Sequence, residues 1–501
     1  MPILSVSIPQ DFARSLAGIP GLDLQALLAA LDTPPSVSLR LNRRKAHPAL
    51  SDSLYAEGSE GVEWCADGRY LPQRPVFTLN PLLHAGAFYV QDASSMIYQQ
   101  IVERICGRIE AERGHSVPVS LLDFCAAPGG KTTAMINAVP DGSVVTANEY
   151  VATRGKILRE NLEKWGYPYV ITTGSAASDY AALPEIFDII AIDAPCSGEG
   201  MMRKDEEARR QWSGRLVEEC AALQRGILRD VAQTLRPGGW LIYSTCTFNM
   251  AEDEENARFI REELGLIPVT PAEIGLTGID SASPALAADV AGLRFMQHLT
   301  RGEGLFVSIF RREGELTPML ESADADFSIP GAGGSAKRKS REKGRGGKGG
   351  GGKGSDCSVP EESLKRLQSL MKPGLEMQTV CGNAGMISMY PRQCLPLLRH
   401  LQGAGVRVTA AGLPAGEVKG GDVVPDSRIV LSGACRDDAF PSVELPEQDA
   451  LRYLRREAFP LPEGTPRGMV RVCYLGLPLG LMKNLGSRAN NLYPSAWRIK
   501  I

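Results

Sequence analysis

Two cysteines stand where a thiol can do chemistry rather than pack. Cys196 lies in Asp193-Ala194-Pro195-Cys196-Ser197-Gly198, and Cys246 in Tyr243-Ser244-Thr245-Cys246-Thr247. A free cysteine ordinarily serves as a small buried hydrophobe. These two instead follow apolar, β-rich runs at the point where a strand gives way to a loop, one of them beside proline and glycine. A thiolate in that position is suited to reversible addition. Cytosine is a fitting target: its carbon 5 is too electron-poor to take a methyl group directly, whereas thiolate addition at carbon 6 makes an enamine whose carbon 5 is nucleophilic. A thiol with an unperturbed pKa near ~8.5 is only slightly ionised at neutral pH, so a nearby cation such as Lys131 would favour the thiolate. Asp193 could hydrogen-bond the N3 and N4 side of the ring and stabilise charge that develops as carbon 6 is attacked. After methylation the carbon 5 proton must leave and the adduct must collapse. Cys196 is placed to assist release, and the residues do not identify the base.

A second constellation, Leu121-Leu122-Asp123-Phe124 followed by Cys125-Ala126-Ala127-Pro128-Gly129-Gly130-Lys131-Thr132, has the pattern of a strand, a loop of small residues and a helix start. Small residues let backbone approach a ligand, and free N–H groups at the helix start favour its electronegative side. The pattern is neither a phosphate loop nor G-x-G-x-x-G, which lowers the ATPase and dinucleotide readings. The next strand ends Ala147-Asn148-Glu149, placing a carboxylate where ribose hydroxyls could be gripped. Together these predict a pocket for a nucleoside-bearing cofactor.

The elements that must position these residues alternate. Strands are expected at 119–124, 143–148, 169–173, 187–193 and 240–244, with helices at 131–138, 152–165 and 215–235 between them. That order predicts an α/β doubly wound parallel sheet, and parallel strands converge their carboxyl ends on one cleft. A late strand at 305–311 is expected to insert antiparallel. Residues 1–90 lack the alternation and read as a small N-terminal lead-in domain, with the core at 91–315. Between 326 and 360 the chain is Gly-, Lys- and Ser-rich and reads as a flexible linker; residues 337–353 carry eight Lys and Arg against one acid, Glu342. After it, a helix at 361–371 and short strands at 385–389, 406–410 and 470–475 suggest a small α+β or barrel-like module over 361–501.

Composition bounds the rest. The 501 residues exceed one ordinary core and suggest roughly three domains. Apolar residues at 43% and charged residues at 23% are ordinary globular usage, and the net charge of −3 says little about partners. No apolar run reaches the ~18 residues of a membrane span, and residues 1–11 do not read as a secretory signal, so a cytoplasmic protein is expected. Eleven cysteines without a C-x-x-C pair argue against a disulfide framework and a zinc knuckle, so each is expected as a free thiol and no metal site is expected.

Three motifs in order carry a resemblance. Cys125-Ala-Ala-Pro-Gly-Gly-Lys131, Asp193-Ala-Pro-Cys-Ser-Gly-Glu-Gly200 and Pro237-Gly-Gly-Trp-Leu-Ile-Tyr-Ser-Thr-Cys-Thr247 resemble the cofactor, fourth and sixth motifs of the Nol1/Nop/Sun family of RNA 5-methylcytosine methyltransferases. The resemblance implies a Rossmann-like class I methyltransferase core and S-adenosyl-L-methionine as cofactor. It implies Cys246 as nucleophile, Cys196 as the release cysteine, and Glu149 and Asp193 as cofactor contacts. Val90-Gln-Asp-Ala-Ser-Ser-Met96, Arg203-Lys204-Asp205 and Gly302-Glu303-Gly304 resemble the RsmF-like branch that modifies small-subunit ribosomal RNA. The tail, Gly476-Leu-Pro-Leu-Gly-Leu-Met-Lys483 with Asn490-Asn-Leu-Tyr-Pro494, is similar to that branch's C-terminal PUA-like RNA-binding module. Two positions depart: Ser175 stands where the family usually has an adenine-contacting Asp, and Leu481-Met482 stand where an aromatic is expected before Lys483.

The expected partner is RNA, in particular 16S rRNA, with no membrane and no DNA, and the chain is expected to be a monomer. A DNA cytosine methyltransferase would use the thiol after proline, here Cys196; the second cysteine and the tail favour RNA. Transfer RNA as substrate, and a ribosome-assembly factor without turnover, stay open as alternatives.

Overall fold

The computed structural model describes residues 6–16, 19, 21–45, 58–284, 289–316, 361–381, 385–419 and 422–500. The linker expected at 326–360 lies outside them. At the centre is a sheet built around five parallel strands: β5 (Ser120–Asp123), β6 (Val144–Asn148), β7 (Val170–Thr173), β8 (Phe187–Asp193) and β9 (Leu235–Thr245). They lie in the order β9-β8-β5-β6-β7. Before them come β1 (Val37–Leu41), β2 (Glu60–Val62), β3 (Cys65–Leu71) and β4 (Phe88–Val90), a sheet in the order β2-β3-β1-β4. Val, Ile, Leu and Ala fill the parallel strands because helices cover both faces. The core is thus the Rossmann-like α/β fold that the alternation predicts.

After β9 the central sheet turns antiparallel. The further strands are β10 (Ile267–Val269), β11 (Ser283–Pro284), β12 (Leu293–Phe295) and β13 (Leu305–Arg311). Strand β13 runs antiparallel to β9, from Phe306 opposite Thr245 to Arg311 opposite Trp240, and is flanked on its other side by β10 and β12. The expected antiparallel insertion of 305–311 is therefore present. The largest boundary difference in the core is at the last helix: expected to Leu235, it is Gly214–Ala232, and strand begins at Leu235 rather than Trp240. Thr234 ends the helix by donating both its N–H and its hydroxyl to the Val231 carbonyl. The strand then continues through Pro237 and Gly238 by a register shift opposite Phe187 and Ile189.

The C-terminal part splits. Strands β14 (Met377–Cys381), β15 (Met386–Pro391), β17 (Leu413–Lys419) and β18 (Asp422–Pro425) form one sheet, while β16 (Val408–Ala411) leaves it. Strand β16 pairs antiparallel with β7 and covers the edge of the central sheet. A bare parallel edge exposes unpaired N–H and C=O groups, and this segment satisfies them. A last sheet holds β19 (Ser442–Glu444), β20 (Gly468–Tyr474), β21 (Leu477–Asn484) and β22 (Ala489–Asn491). Among the described residues, nine cysteines are free. Cys381, half-buried at the end of edge strand β14, is disulfide-bonded, against the expectation of free thiols throughout.

Among the described residues, those of the lead-in region close no core of their own. Trp64 and Tyr70 share a cluster with Ile97, Ile101 and Leu158, and Leu39 and Phe88 share another with Tyr453, Val470 and Trp497 of the C-terminal part. Helices Gln10–Leu16 and Leu24–Leu31 pack through Phe12 and Leu27 on Trp212 and Phe248. Arg40 of β1, fully buried, donates to Gln91 Oε1 at 2.7 Å, to Thr133 Oγ1 at 2.7 Å and to the Gly130 and Thr133 carbonyls at 3.2 Å. Arg40→Ala removes all four of these buried hydrogen bonds, and a loss of about 3–5 kcal/mol is expected. A urea-unfolding midpoint unchanged from wild type would contradict that role. Among the described residues, no helix is long and apolar enough to cross a membrane.

Candidate active site

The carboxyl ends of β5, β6, β8 and β9 meet along one edge, and the expected site residues lie there. The Cys125–Gly130 segment links β5 to helix Gly130–Ala138. Gly129 enters that helix at φ +108°, a conformation that strains any residue with a Cβ, and no side chain caps the helix start. The loop is held from outside: Arg154 donates to the Ala127 carbonyl and Asn161 to the Pro128 carbonyl, each at 2.8 Å. Beneath it, Thr132 Oγ1 donates to Asp123 Oδ2 at 2.5 Å, and burial pushes the Asp123 carboxyl up to about 7. Burial likewise raises the Cys125 thiol, and the nearby Asp193 charge adds to the effect.

Lys131 and Asp193 come together at 2.7 Å. Burial works against the Lys131 charge, but the Asp193 carboxylate outweighs it and Cys246 acts in the same direction, so the ammonium is raised above its ordinary range. Ser244 Oγ donates to the other Asp193 oxygen at 2.6 Å and is bonded to the Tyr98 hydroxyl at 2.8 Å. Asp193 is thereby fixed in rotation, with a further lone pair on each oxygen available.

Cys196 and Cys246 also come together. Their sulfurs are 3.0 Å apart, and the Cys246 N–H donates to Cys196 Sγ at 3.3 Å. Cys196 is held well above the ordinary thiol range, first by its hydrogen bond to Cys246, then by burial, then by the charges of Cys246 and Glu252. Glu149 is apart from both pairs: it is buried, accepts from the Val151 N–H at 2.8 Å, and has Arg154 3.6 Å from its second oxygen.

Three carboxylates outside the expected site residues hold this edge together. Glu199 Oε2 accepts from Thr247 Oγ1 and from the N–H groups of Phe248 and Asn249, fixing the turn after Cys246. Glu252 accepts from the Ser197 N–H at 3.0 Å and from Gln224 at 2.7 Å, fixing the turn after Cys196. Glu303 pairs with Arg203 at 3.1 Å, both nearly fully buried, where Gly200 and Gly304 meet so closely that a Cβ on either would lie 2.5–2.6 Å from the other's Cα. The signal for this last contact was in the sequence, in Arg203-Lys204-Asp205 and Gly302-Glu303-Gly304.

Asp193→Asn keeps the shape of the side chain and removes the charge that pairs with Lys131. Turnover is expected to fall by about 10²–10³-fold, the usual size of losing one oriented electrostatic group, with the thermal midpoint little changed. Initial rates of methyl transfer near those of wild type would contradict this.

The residues fit an S-adenosylmethionine-type ligand: an uncapped helix start beyond a small-residue loop, and a buried carboxylate on the neighbouring strand end. Among the described residues, no three His, Cys, Asp or Glu side chains are grouped to hold a metal ion.

Comparison with known proteins agrees with this layout. The family model of 16S rRNA methyltransferase RsmB/F matches residues 115–311, the N-terminal domain of 16S rRNA methyltransferase RsmF matches 8–93, and the methyltransferase RsmF PUA domain matches 440–499. The ribosomal RNA small subunit methyltransferase F of an Enterobacter strain is 30% identical, covering 98% of this chain and 96% of the relative. That of Erwinia tasmaniensis is 29% identical over 94% and 92%. In fold, NSun6 from Pyrococcus horikoshii, solved with SFG, is similar at a TM-score of 0.51 and 18% identity, over 62% of this chain and 99% of that one. With a relative of that identity matched from end to end and family models matched at the N-terminal, core and C-terminal regions, the chain belongs to the RsmB/F family of 16S rRNA methyltransferases.

Proposed function

We propose that the protein methylates carbon 5 of a cytosine in RNA, the substrate being 16S rRNA of the small ribosomal subunit, through a covalent bond between Cys246 and carbon 6. The observation that carries this reading is the pair of sulfurs 3.0 Å apart at the carboxyl edge of the sheet, beside the Lys131–Asp193 pair. When bound, S-adenosylmethionine supplies the methyl group that the activated carbon 5 takes up. The 125–131 loop and the N–H groups at the start of helix Gly130–Ala138 would hold its electronegative side, and Glu149 its ribose hydroxyls.

Cys246 acts as the thiolate, with Lys131 as the nearby cation and the Cys196 thiol as its hydrogen-bond donor. Its sulfur bonds to carbon 6 and the displaced electron pair moves into the ring, while the Asp193 carboxylate, its charge balanced by Lys131, accepts from the N4 amino group and holds the ring in place. Once carbon 5 carries the methyl group its proton leaves to solvent, the pair from that C–H bond re-forms the double bond between carbons 5 and 6, and the pair of the bond to carbon 6 departs on the Cys246 sulfur as thiolate. Cys196 then assists by hydrogen-bonding the departing Cys246 thiolate. The lead-in and C-terminal sheets serve RNA positioning, with the target cytosine unstacked into the cleft. A cytoplasmic monomer acting on RNA rather than DNA completes the reading.

The test is methylation in vitro with labelled S-adenosylmethionine. Label is expected as 5-methylcytidine in small-subunit RNA. Label in another nucleoside, or only in transfer RNA, contradicts the reading.

A further inference from the structure

The cofactor cleft has a wall that the methyltransferase core does not supply. The strand order β9-β8-β5-β6-β7 sets the polarity of any ligand lying across the carboxyl edge. Its reacting end must face Asp193 on β8 and Cys246 beyond β9, so its nucleoside end points the other way, past Glu149 after β6 toward the end of β7. That end is Gly174-Ser175, and a C-terminal residue holds it. Arg407, just before β16, donates from Nε to the Gly174 carbonyl at 2.9 Å, with Nη2 on the same oxygen, while its backbone N–H donates to Ser175 Oγ at 2.8 Å. Its carbonyl accepts from the Gly174 N–H at 2.9 Å. A Cβ on Gly174 would lie 2.7 Å from the guanidinium, so the two segments fit without room for a side chain.

The clamp continues to the carboxylate. Asn148 donates to the Ser175 carbonyl at 3.1 Å and accepts from the Ser175 N–H at 3.0 Å, and the Glu149 N–H donates to the Thr173 carbonyl at 3.1 Å. The Ser175 hydroxyl oxygen is turned to the Arg407 N–H, from which it accepts. Each link from Arg407 to Glu149 is a hydrogen bond between groups at the ends of two adjacent strands.

We propose that Arg407 is a positioning residue of the cofactor site: it fixes the β7 end as the wall of the nucleoside pocket, so the C-terminal part of the chain contributes to cofactor affinity. This rests on the cofactor reading above. The test is direct binding to the full chain by calorimetry, using S-adenosylmethionine and 5′-methylthioadenosine, which keeps the nucleoside and lacks the amino acid. Arg407→Ala is expected to weaken both ligands by the same factor, about five- to tenfold, the scale of losing a charge-assisted hydrogen bond at a partly exposed site. Arg407→Lys, which keeps one donor, is expected to lose less. Thr409→Val removes a 2.9 Å hydrogen bond from the same strand to Thr172 while keeping the methyl group beside Gly174 and every hydrogen bond to 174–175, and is expected to leave both affinities unchanged.

Arg407→Ala within twofold of wild type overturns the proposal, and so does a loss confined to S-adenosylmethionine. An equal loss in Thr409→Val does the same, because strand docking rather than Arg407 would then be responsible. Should Arg407→Ala not fold, Arg407→Lys decides: an equal, smaller loss for both ligands supports the proposal, and wild-type affinity overturns it. If the wild-type chain binds neither ligand, the cofactor reading itself fails and the proposal falls with it.

Discussion

Cys246→Ala is expected to abolish methyl transfer, with a fall of at least about 10⁴-fold, the scale seen when a nucleophile is removed from a machine whose parts act as a unit. The size follows from the chemistry. Without a bond at carbon 6 the ring stays aromatic and carbon 5 has no electron pair to offer. Binding should survive, because the cofactor loop, Lys131 and Asp193 do not depend on the sulfur for their place: Asp193 is fixed by Lys131 and Ser244. The variant is therefore expected to bind S-adenosylmethionine normally and to form no covalent RNA complex. Turnover within tenfold of wild type in a nucleoside mass-spectrometry assay would rule out the nucleophile.

Cys196→Ala has the second large effect, and its sign separates the two thiols. Addition and methylation still proceed, since Cys246 keeps its cationic neighbour, but the departing thiolate loses the donor 3.0 Å away. A covalent protein–RNA complex is expected to accumulate and to survive denaturing electrophoresis, while turnover falls. The double variant should form none. If Cys196→Ala turned over normally with no adduct, or if Cys246→Ala trapped RNA instead, the roles would have to be exchanged or abandoned.

How far the sequence reaches depends on the range of the interaction. The parallel strands were legible because both their faces are buried and the residues say so locally. The cleft was legible because parallel strands bring their carboxyl ends together whatever else the chain does, which is why Cys246, Cys196, Asp193, Lys131 and the Cys125–Gly130 loop fall along one edge. Contacts made across long separations were not. Arg40 supports the loop from 90 residues away, and nothing at positions 37–41 distinguishes a buried arginine from an ordinary alternating strand. Strand β16 reads as part of the C-terminal module, yet its partner is β7, 235 residues earlier at Thr173 and Val408; edge covering depends on which strand is left unpaired in three dimensions. Glu199 and Glu252 look like solvated acids in sequence. They are buried because each satisfies several backbone and side-chain donors at once. The end of helix Gly214–Ala232 is not legible because Thr234 stops it by a local hydrogen bond to Val231, while the apolar pattern runs on into the strand.

The most direct measurement of the central claim is bisulfite sequencing of ribosomal and transfer RNA from cells with the gene, without it, and complemented with Cys246→Ala. The account predicts a 5-methylcytosine in small-subunit rRNA that disappears with the gene, returns with the wild-type copy and does not return with Cys246→Ala. A mark lost from transfer RNA alone, or restored by Cys246→Ala, would contradict it.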